Sequence, residues 1–156
     1  TAAKTYFNQA VLLQQQEKLA TAISTYAKAI AADPSYADAY YNLAIAYNTT
    51  HQIDRALDNY ELALMANDKH PDARYNYAIA LQEQGYVEDA ILQYETFLRD
   101  NPRNPNIVTA HFNVATLYAH NRATFDKARQ HYQTYLKLAP NSPAAREIRQ
   151  WLDRNR

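Results

Sequence analysis

The sequence predicts an all-α fold, a right-handed α-solenoid of four helix–turn–helix repeats closed by a C-terminal capping helix. Three observations carry that expectation. Apolar and small residues recur at three- and four-residue steps, the spacing of one face of a helix. The same residue types return every 34 positions: Ala22, Ala56 and Ala90; Tyr26, Tyr60 and Tyr94; Asn8, Asn42 and Asn76. The 156 residues include 14 tyrosines but a single glycine, Gly85. Self-similarity at such a period marks stacked units, none of which can bury its apolar face alone.

The elements follow in order as one domain over residues 1–156. The first copy, residues 3–36, pairs a helix carrying Tyr6, Gln9, Ala10 and Leu13 with one carrying Leu19, Ala22, Ile23, Tyr26 and Ile30. The second, 37–70, repeats this with Tyr40, Leu43, Ala44 and Tyr47, then Ile53, Ala56, Leu57, Tyr60 and Leu64. The third occupies 71–104. The fourth, 108–141, is displaced by inserted residues near Pro105 and again in the Asn121–Thr124 turn, but Asn113, Ala128 and Tyr132 identify it. Asp33-Pro34, Asp68 to Pro71, Asn101-Pro102 and Pro140-Asn141 punctuate the copies, since proline suits a helix's first turn and not its interior. Ser142-Pro143 is expected to open a last helix over 142–155. There Ala145, Ile148, Trp151 and Leu152 form one stripe against a charged face, the pattern a solenoid needs to close its end. Trp151 is expected to pack on copy four.

These residues make the chain resemble the tetratricopeptide repeat (TPR) family, whose unit is a helical hairpin of about 34 residues. Counted from Ala3, the family's small residue at repeat position 8 is matched by Ala10, Ala44, Ala78 and Ala115. Its alanine at position 20 is matched by Ala22, Ala56, Ala90 and Ala128, and its aromatic at 24 by Tyr26, Tyr60, Tyr94 and Tyr132. The proline at 32 is matched by Pro34, Pro102 and Pro140. Small side chains are needed where paired helices approach closely. Departures are Arg74 at position 4, where an aromatic is usual, and Asp68 at position 32.

Composition excludes several classes of function. Lysine plus arginine and aspartate plus glutamate each total 16, so no excess cationic charge is available to hold nucleic acid. There is no cysteine, which removes thiol catalysis and disulfides and fits a cytoplasmic or a bacterial periplasmic setting equally. One glycine cannot build a phosphate-cradling loop, and no apolar run approaches the roughly 20 residues of a membrane span. The chain opens at Thr1 without a signal-peptide pattern, as a trimmed or mature fragment would. No histidine pair has zinc-protease spacing, so neither an enzyme nor a cofactor is expected.

The resemblance implies that the first helix of each pair lines a concave groove. Groove positions then hold Lys4, Phe7, Asn8, Val11, Asp38, Tyr41, Asn42, Ile45, Asp72, Tyr75, Asn76, Ile79 and Glu83, continuing to Phe112, Asn113 and His120 in copy four. Position 6 is asparagine in every copy (Asn8, Asn42, Asn76, Asn113) and position 5 is always aromatic (Phe7, Tyr41, Tyr75, Phe112). Asparagine is a mediocre helix former, but its amide both donates and accepts. A ladder of exposed amides, satisfied by water until a ligand arrives, can grip an extended peptide backbone, with Val11, Ile45 and Ile79 adding apolar pockets. The alternative is that these amides bond within the helix pairs. Where family members that clamp an acidic C-terminal tail carry Lys, Asn, Lys and Arg, the matching places hold Phe7, Val11, Asp72 and Asn76, so such a tail is disfavoured.

Residues 1–121 hold 8 basic and 13 acidic side chains, whereas residues 122–156 hold 8 basic and 3 acidic. Such a polar molecule can pack head to tail or dock its basic cap on an acidic surface. The sequence therefore predicts a non-enzymatic scaffold for a protein or peptide partner. Two alternatives stand beside it: a self-assembling homo-oligomer that uses solenoid ends or the convex face, and a regulatory module of a larger protein.

Overall fold

The computed structural model describes all residues, Thr1–Arg156. The chain is all-α, a solenoid of helical hairpins with a last helix after them. The helices are α1 (Ala2–Gln15), α2 (Leu19–Ala32), α3 (Ala37–Thr49), α4 (Ile53–Ala66), α5 (Pro71–Glu83), α6 (Val87–Asp100), α7 (Ile107–Tyr118), α8 (Phe125–Leu138) and α9 (Ala145–Arg154). Contacts divide the chain into two compact units, Thr1–Ala80 and Leu81–Arg156.

In the first unit α1 packs on α2, α3 on α4, and α2 on α3. The alanines that the 34-residue period singles out are the contact points: Ala10, Ala22, Ala44, Ala56 and Ala78 have no exposed surface. Each lies where a larger side chain would force the helices apart. Tyr26 and Tyr60 fill the space between hairpins and are completely buried. A buried tyrosine must find a partner for its hydroxyl, and that requirement shapes the surface described below.

In the second unit α6 packs on α7, α7 on α8, and α8 on α9. Ala90, Tyr94, Phe97, Ala110, Val114, Ala115 and Ala128 form its sealed interior. Trp151 of α9 meets Tyr132 and Phe125 edge-on, with ring centres 5.2 and 5.1 Å apart, so it packs on copy four. The capping helix starts at Ala145 and not at Ser142. Pro143 pushes the residue before it away from helical geometry, and residues 139–145 instead form turns closed by Ser142 N–H to Ala139 O and Ala145 N–H to Ser142 O.

The hairpin turns explain the scarcity of glycine. After α1, α3 and α5 the chain passes through the left-handed region at Glu17 (φ 61°), His51 (φ 59°) and Gly85 (φ 81°), again 34 residues apart. Each turn closes with the same pair of bonds, for example Lys18 N–H to Leu13 O at 2.9 Å and Glu17 N–H to Gln14 O at 3.0 Å. This is a Schellman ending, which normally takes glycine; only the third copy has one. The longer turn of copy four becomes a 3₁₀ turn, Arg122–Thr124, capped by the Asn121 side chain. Between copies, Asp33 and Asn67 accept from Ser35 N–H and Lys69 N–H at 3.0 Å, Asx turns that end α2 and α4 and redirect the chain.

Candidate binding surface

Tyrosine hydroxyls reach the first helices, and the position-6 asparagines Asn42, Asn76 and Asn113 meet them there. In the first unit Tyr26 donates to Gln14 Oε1 at 2.6 Å, and the Asn42 amide bonds the same hydroxyl. Burial pushes the Tyr26 phenol up to about 12, opposed in part by the Asn42 bond. In the second unit Tyr94 donates to Gln82 Oε1 at 2.6 Å and accepts from Asn113 Nδ2 at 3.1 Å. Each hydroxyl therefore bonds a glutamine of its own repeat and an asparagine of the next. Asn76 bonds differently: its Nδ2 donates to Tyr41 Oη at 3.1 Å and to Asp72 O at 2.9 Å. Of the four, only Asn8 is exposed, and the other three are half-buried.

The expectation that these amides stand free in the unliganded protein is thus corrected for Asn42, Asn76 and Asn113. Their N–H groups donate to tyrosine hydroxyls. The tyrosines lie 16, 35 and 19 residues before their asparagines, separations that helical periodicity does not link.

The other first-unit residues expected to line a groove are partly apolar and partly acidic. Phe7 packs on Tyr36 and Tyr26, ring centres 5.0 and 6.0 Å away, and Tyr41 packs on His70 and Tyr60 at 5.0 and 6.3 Å. Val11, Ile45, Tyr75 and Ile79 are half-buried. His70, itself buried, accepts from Ala73 N–H through Nδ1 at 3.1 Å, which leaves Nε2–H to donate to Asp38 at 2.8 Å. The Asp38 carboxylate is 60% exposed, so it is held in place but open to a ligand. Asp72 is exposed at the start of α5, and Lys4 is the one basic groove residue here. Burial, then the Asp72 charge, pushes the Tyr41 phenol up.

In the second unit Phe112 packs on Tyr135 and Tyr132 at 5.4 and 6.4 Å. Glu83 is exposed, and His120, also exposed, donates from Nδ1 to Thr116 O at 2.6 Å. Phe112, Thr116, Tyr132, Ala144, Glu147, Ile148, Trp151 and Arg154 line an open pocket of about 300 Å³ between α7, α8 and α9.

Sequence reasoning did not find one cluster. His111 Nδ1 and His131 Nδ1 share a proton across 2.8 Å, and His131 Nε2–H donates to Glu95 Oε1 at 2.6 Å. Tyr118 donates to the same oxygen at 3.1 Å and stacks on His131. Burial, reinforced by His131, pushes His111 down to about 4. The His131 hydrogen bond holds Glu95 below the usual carboxylate range. The one available signal is that His111 stands at position 4, where copies one and two have Tyr6 and Tyr40. No group of histidines and carboxylates is arranged to hold a metal ion, and no helix is long and apolar enough to cross a membrane.

Known families match along most of the chain: "TPR repeat" over residues 12–50, "YpiA-like, C-terminal tetratricopeptide repeats" over 37–104, and "Tetratricopeptide repeat" over 75–143. No curated protein sequence matches. Among solved structures, a tetratricopeptide repeat protein from Parabacteroides merdae aligns with a TM-score of 0.82 at 22% identity, covering 97% of this chain and 59% of that one. The pilF protein of Pseudomonas aeruginosa aligns with a TM-score of 0.74 at 21% identity, covering 99% and 77%. The first TPR of Spaghetti (RPAP3), solved bound to the HSP90 peptide SRMEEVD, aligns with a TM-score of 0.69 at 24% identity, covering 76% and 92%.

Proposed function

The chain belongs to the tetratricopeptide repeat family, and we propose that it is a non-catalytic interaction scaffold that holds an extended partner segment along the first helices of its repeats. The observation that carries this reading is the orientation of the position-6 amides. With both N–H groups of Asn76 engaged, by Tyr41 and by Asp72 O, its carbonyl oxygen remains as an acceptor for a peptide N–H. The tyrosine bonds of Asn42 and Asn113 fix their amides in the same manner. A group already locked in position loses little side-chain entropy when a ligand arrives. Phe7, Tyr41, Tyr75 and Phe112 beside these amides, with Val11, Ile45 and Ile79, supply apolar contact.

Charge selects the partner. The first unit's face presents Asp38 and Asp72 against Lys4, and Glu83 adds a further acid in the second unit. An acidic segment such as SRMEEVD, carried by the Spaghetti (RPAP3) TPR, meets like charge here; a neutral, apolar or mildly basic segment meets complementary charge. Calorimetric titration with peptides from a random displayed library tests this. Enrichment of apolar and basic sequences that bind wild-type protein, and bind Asp38→Asn/Asp72→Asn protein more weakly, supports the reading. Enrichment of acidic sequences refutes it.

A further inference from the structure

The second unit carries a ring-lined cavity and, elsewhere on its surface, a side chain suited to fill one. The cavity is walled by Phe112, Tyr132 and Trp151, with Arg154 exposed at its rim. Adjacent wall rings lie at steep mutual angles, 58° for Phe112 and Tyr132 and 61° for Tyr132 and Trp151, so a further ring can meet their faces and edges. The pocket is open to solvent, and its volume of about 300 Å³ leaves room for a side-chain ring to enter from outside.

The α5–α6 turn presents Tyr86, 52% exposed, and Val87, 40% exposed. The same repeat position holds Lys18 and Gln52 in copies one and two, so a large aromatic there is not required by the hairpin. An exposed tyrosine beside an exposed valine has the composition of an interface anchor. Its setting is acidic: Glu83, Glu88 and Asp89 lie within residues 83–89, with no basic side chain among them. The pocket's own charged lining is Glu147 and Arg154, and the segment that carries them is basic: residues 145–156 hold Arg146, Arg149, Arg154 and Arg156 against Glu147 and Asp153.

We propose that the cavity receives Tyr86 of a second copy of this chain, with Glu88 and Asp89 of the incoming copy facing Arg154 and its neighbouring arginines. Ring packing supplies the contact, and the opposite charges of the two patches set its direction. Because the two patches differ, the contact is heterologous: two of them close a dimer around a two-fold axis, and otherwise copies add end to end. This association is separate from the groove reading and stands or falls without it.

Sedimentation equilibrium of the full chain over a concentration series tests the proposal, with far-ultraviolet circular dichroism confirming that each variant is folded. Trp151, the only tryptophan, adds a local readout, because filling the cavity shifts its emission. Wild type is expected to associate with rising concentration, less so at high salt. Tyr86→Ser, Glu88→Arg and Arg154→Glu are each expected to weaken association at least tenfold. The first two lie on the exposed turn and the third on the exposed face of α9, away from the buried core. Mixing Glu88→Arg with Arg154→Glu protein restores association, because the unaltered turn of the second meets the unaltered rim of the first and the two reversed patches face each other. A wild-type chain that stays monomeric up to about 1 mM, near the weakest affinity worth the name, overturns the proposal. So does association that Tyr86→Ser leaves unchanged, or variants that fail to complement on mixing.

Discussion

Asn113 on α7 donates from Nδ2 to the hydroxyl of Tyr94 on α6 across 3.1 Å, and Tyr94 donates in turn to Gln82. Asn42, Tyr26 and Gln14 make the same arrangement in the first unit. A buried tyrosine thus uses its hydroxyl to fasten its own hairpin to the next. Tyr94→Phe should remove both bonds and strand the groups that made them, costing on the order of 1–3 kcal/mol in denaturant unfolding. Asn113→Ala should cost about 1 kcal/mol, because the Gln82 bond survives. Neutral unfolding midpoints for both variants would show the bonds to be idle.

The left-handed turn residues carry a separate prediction. Glu17 and His51 sit at φ near 60°, a region that costs a residue with a Cβ roughly 1–2 kcal/mol. Glu17→Gly and His51→Gly should each raise stability by about 0.5–1 kcal/mol, part of the gain being lost to unfolded-state entropy. Gly85→Ala should lower it by about 1 kcal/mol through the backbone alone, because nothing lies within 4 Å of the added Cβ. Calorimetric melting of the three variants checks the signs.

Ala44 and Ala90 are sealed where helices cross. Ala→Leu at either should overpack the crossing and cost about 1–3 kcal/mol. An unchanged melting temperature at both would contradict the repeat register.

The His111 cluster makes the second unit sensitive to acid. In the folded chain His111 titrates near 4, below its ordinary 6.5. Above 6.5 it is neutral in both states. As pH falls from 6.5 towards 4 the unfolded chain takes up a proton that the folded chain refuses, and stability drops. Glu95, also held low, extends the loss in the same direction at lower pH. His111→Phe, which restores an aromatic at position 4, should flatten the melting-temperature profile between pH 6.5 and 4. A variant with the wild-type slope would place the acid sensitivity elsewhere.

The periodic part of the structure was legible because alanine and tyrosine recur at the solenoid's own period. Ala22, Ala56 and Ala90 mark the helix crossings, and the proline-bearing junctions mark the hairpin boundaries. Partnerships between repeats were not legible. Nothing in the order of residues tells that the hydroxyl of Tyr26 emerges beside Asn42, since that depends on how one hairpin settles on the next. Asparagine is a poor helix former, so four of them at one repeat position need partners. In Asn42, Asn76 and Asn113 the N–H groups find them in tyrosine hydroxyls; Asn8 does not. His111 and His131 escaped notice because they lie on different helices, and Glu95 on a third. Pro143 shortened α9 through a local backbone effect that apolar spacing does not register.

Asn8 separates binding from folding most cleanly, because it is exposed and makes none of the tyrosine bonds that hold Asn42, Asn76 and Asn113. The decisive measurement is calorimetric titration of wild type and Asn8→Ala with one library-selected peptide that protects the first unit's groove face from hydrogen exchange. A ladder that grips peptide backbone should show affinity reduced by about 0.5–1.5 kcal/mol in Asn8→Ala, with an unchanged melting temperature. Equal affinity in the two proteins would contradict a ladder that runs through all four position-6 asparagines.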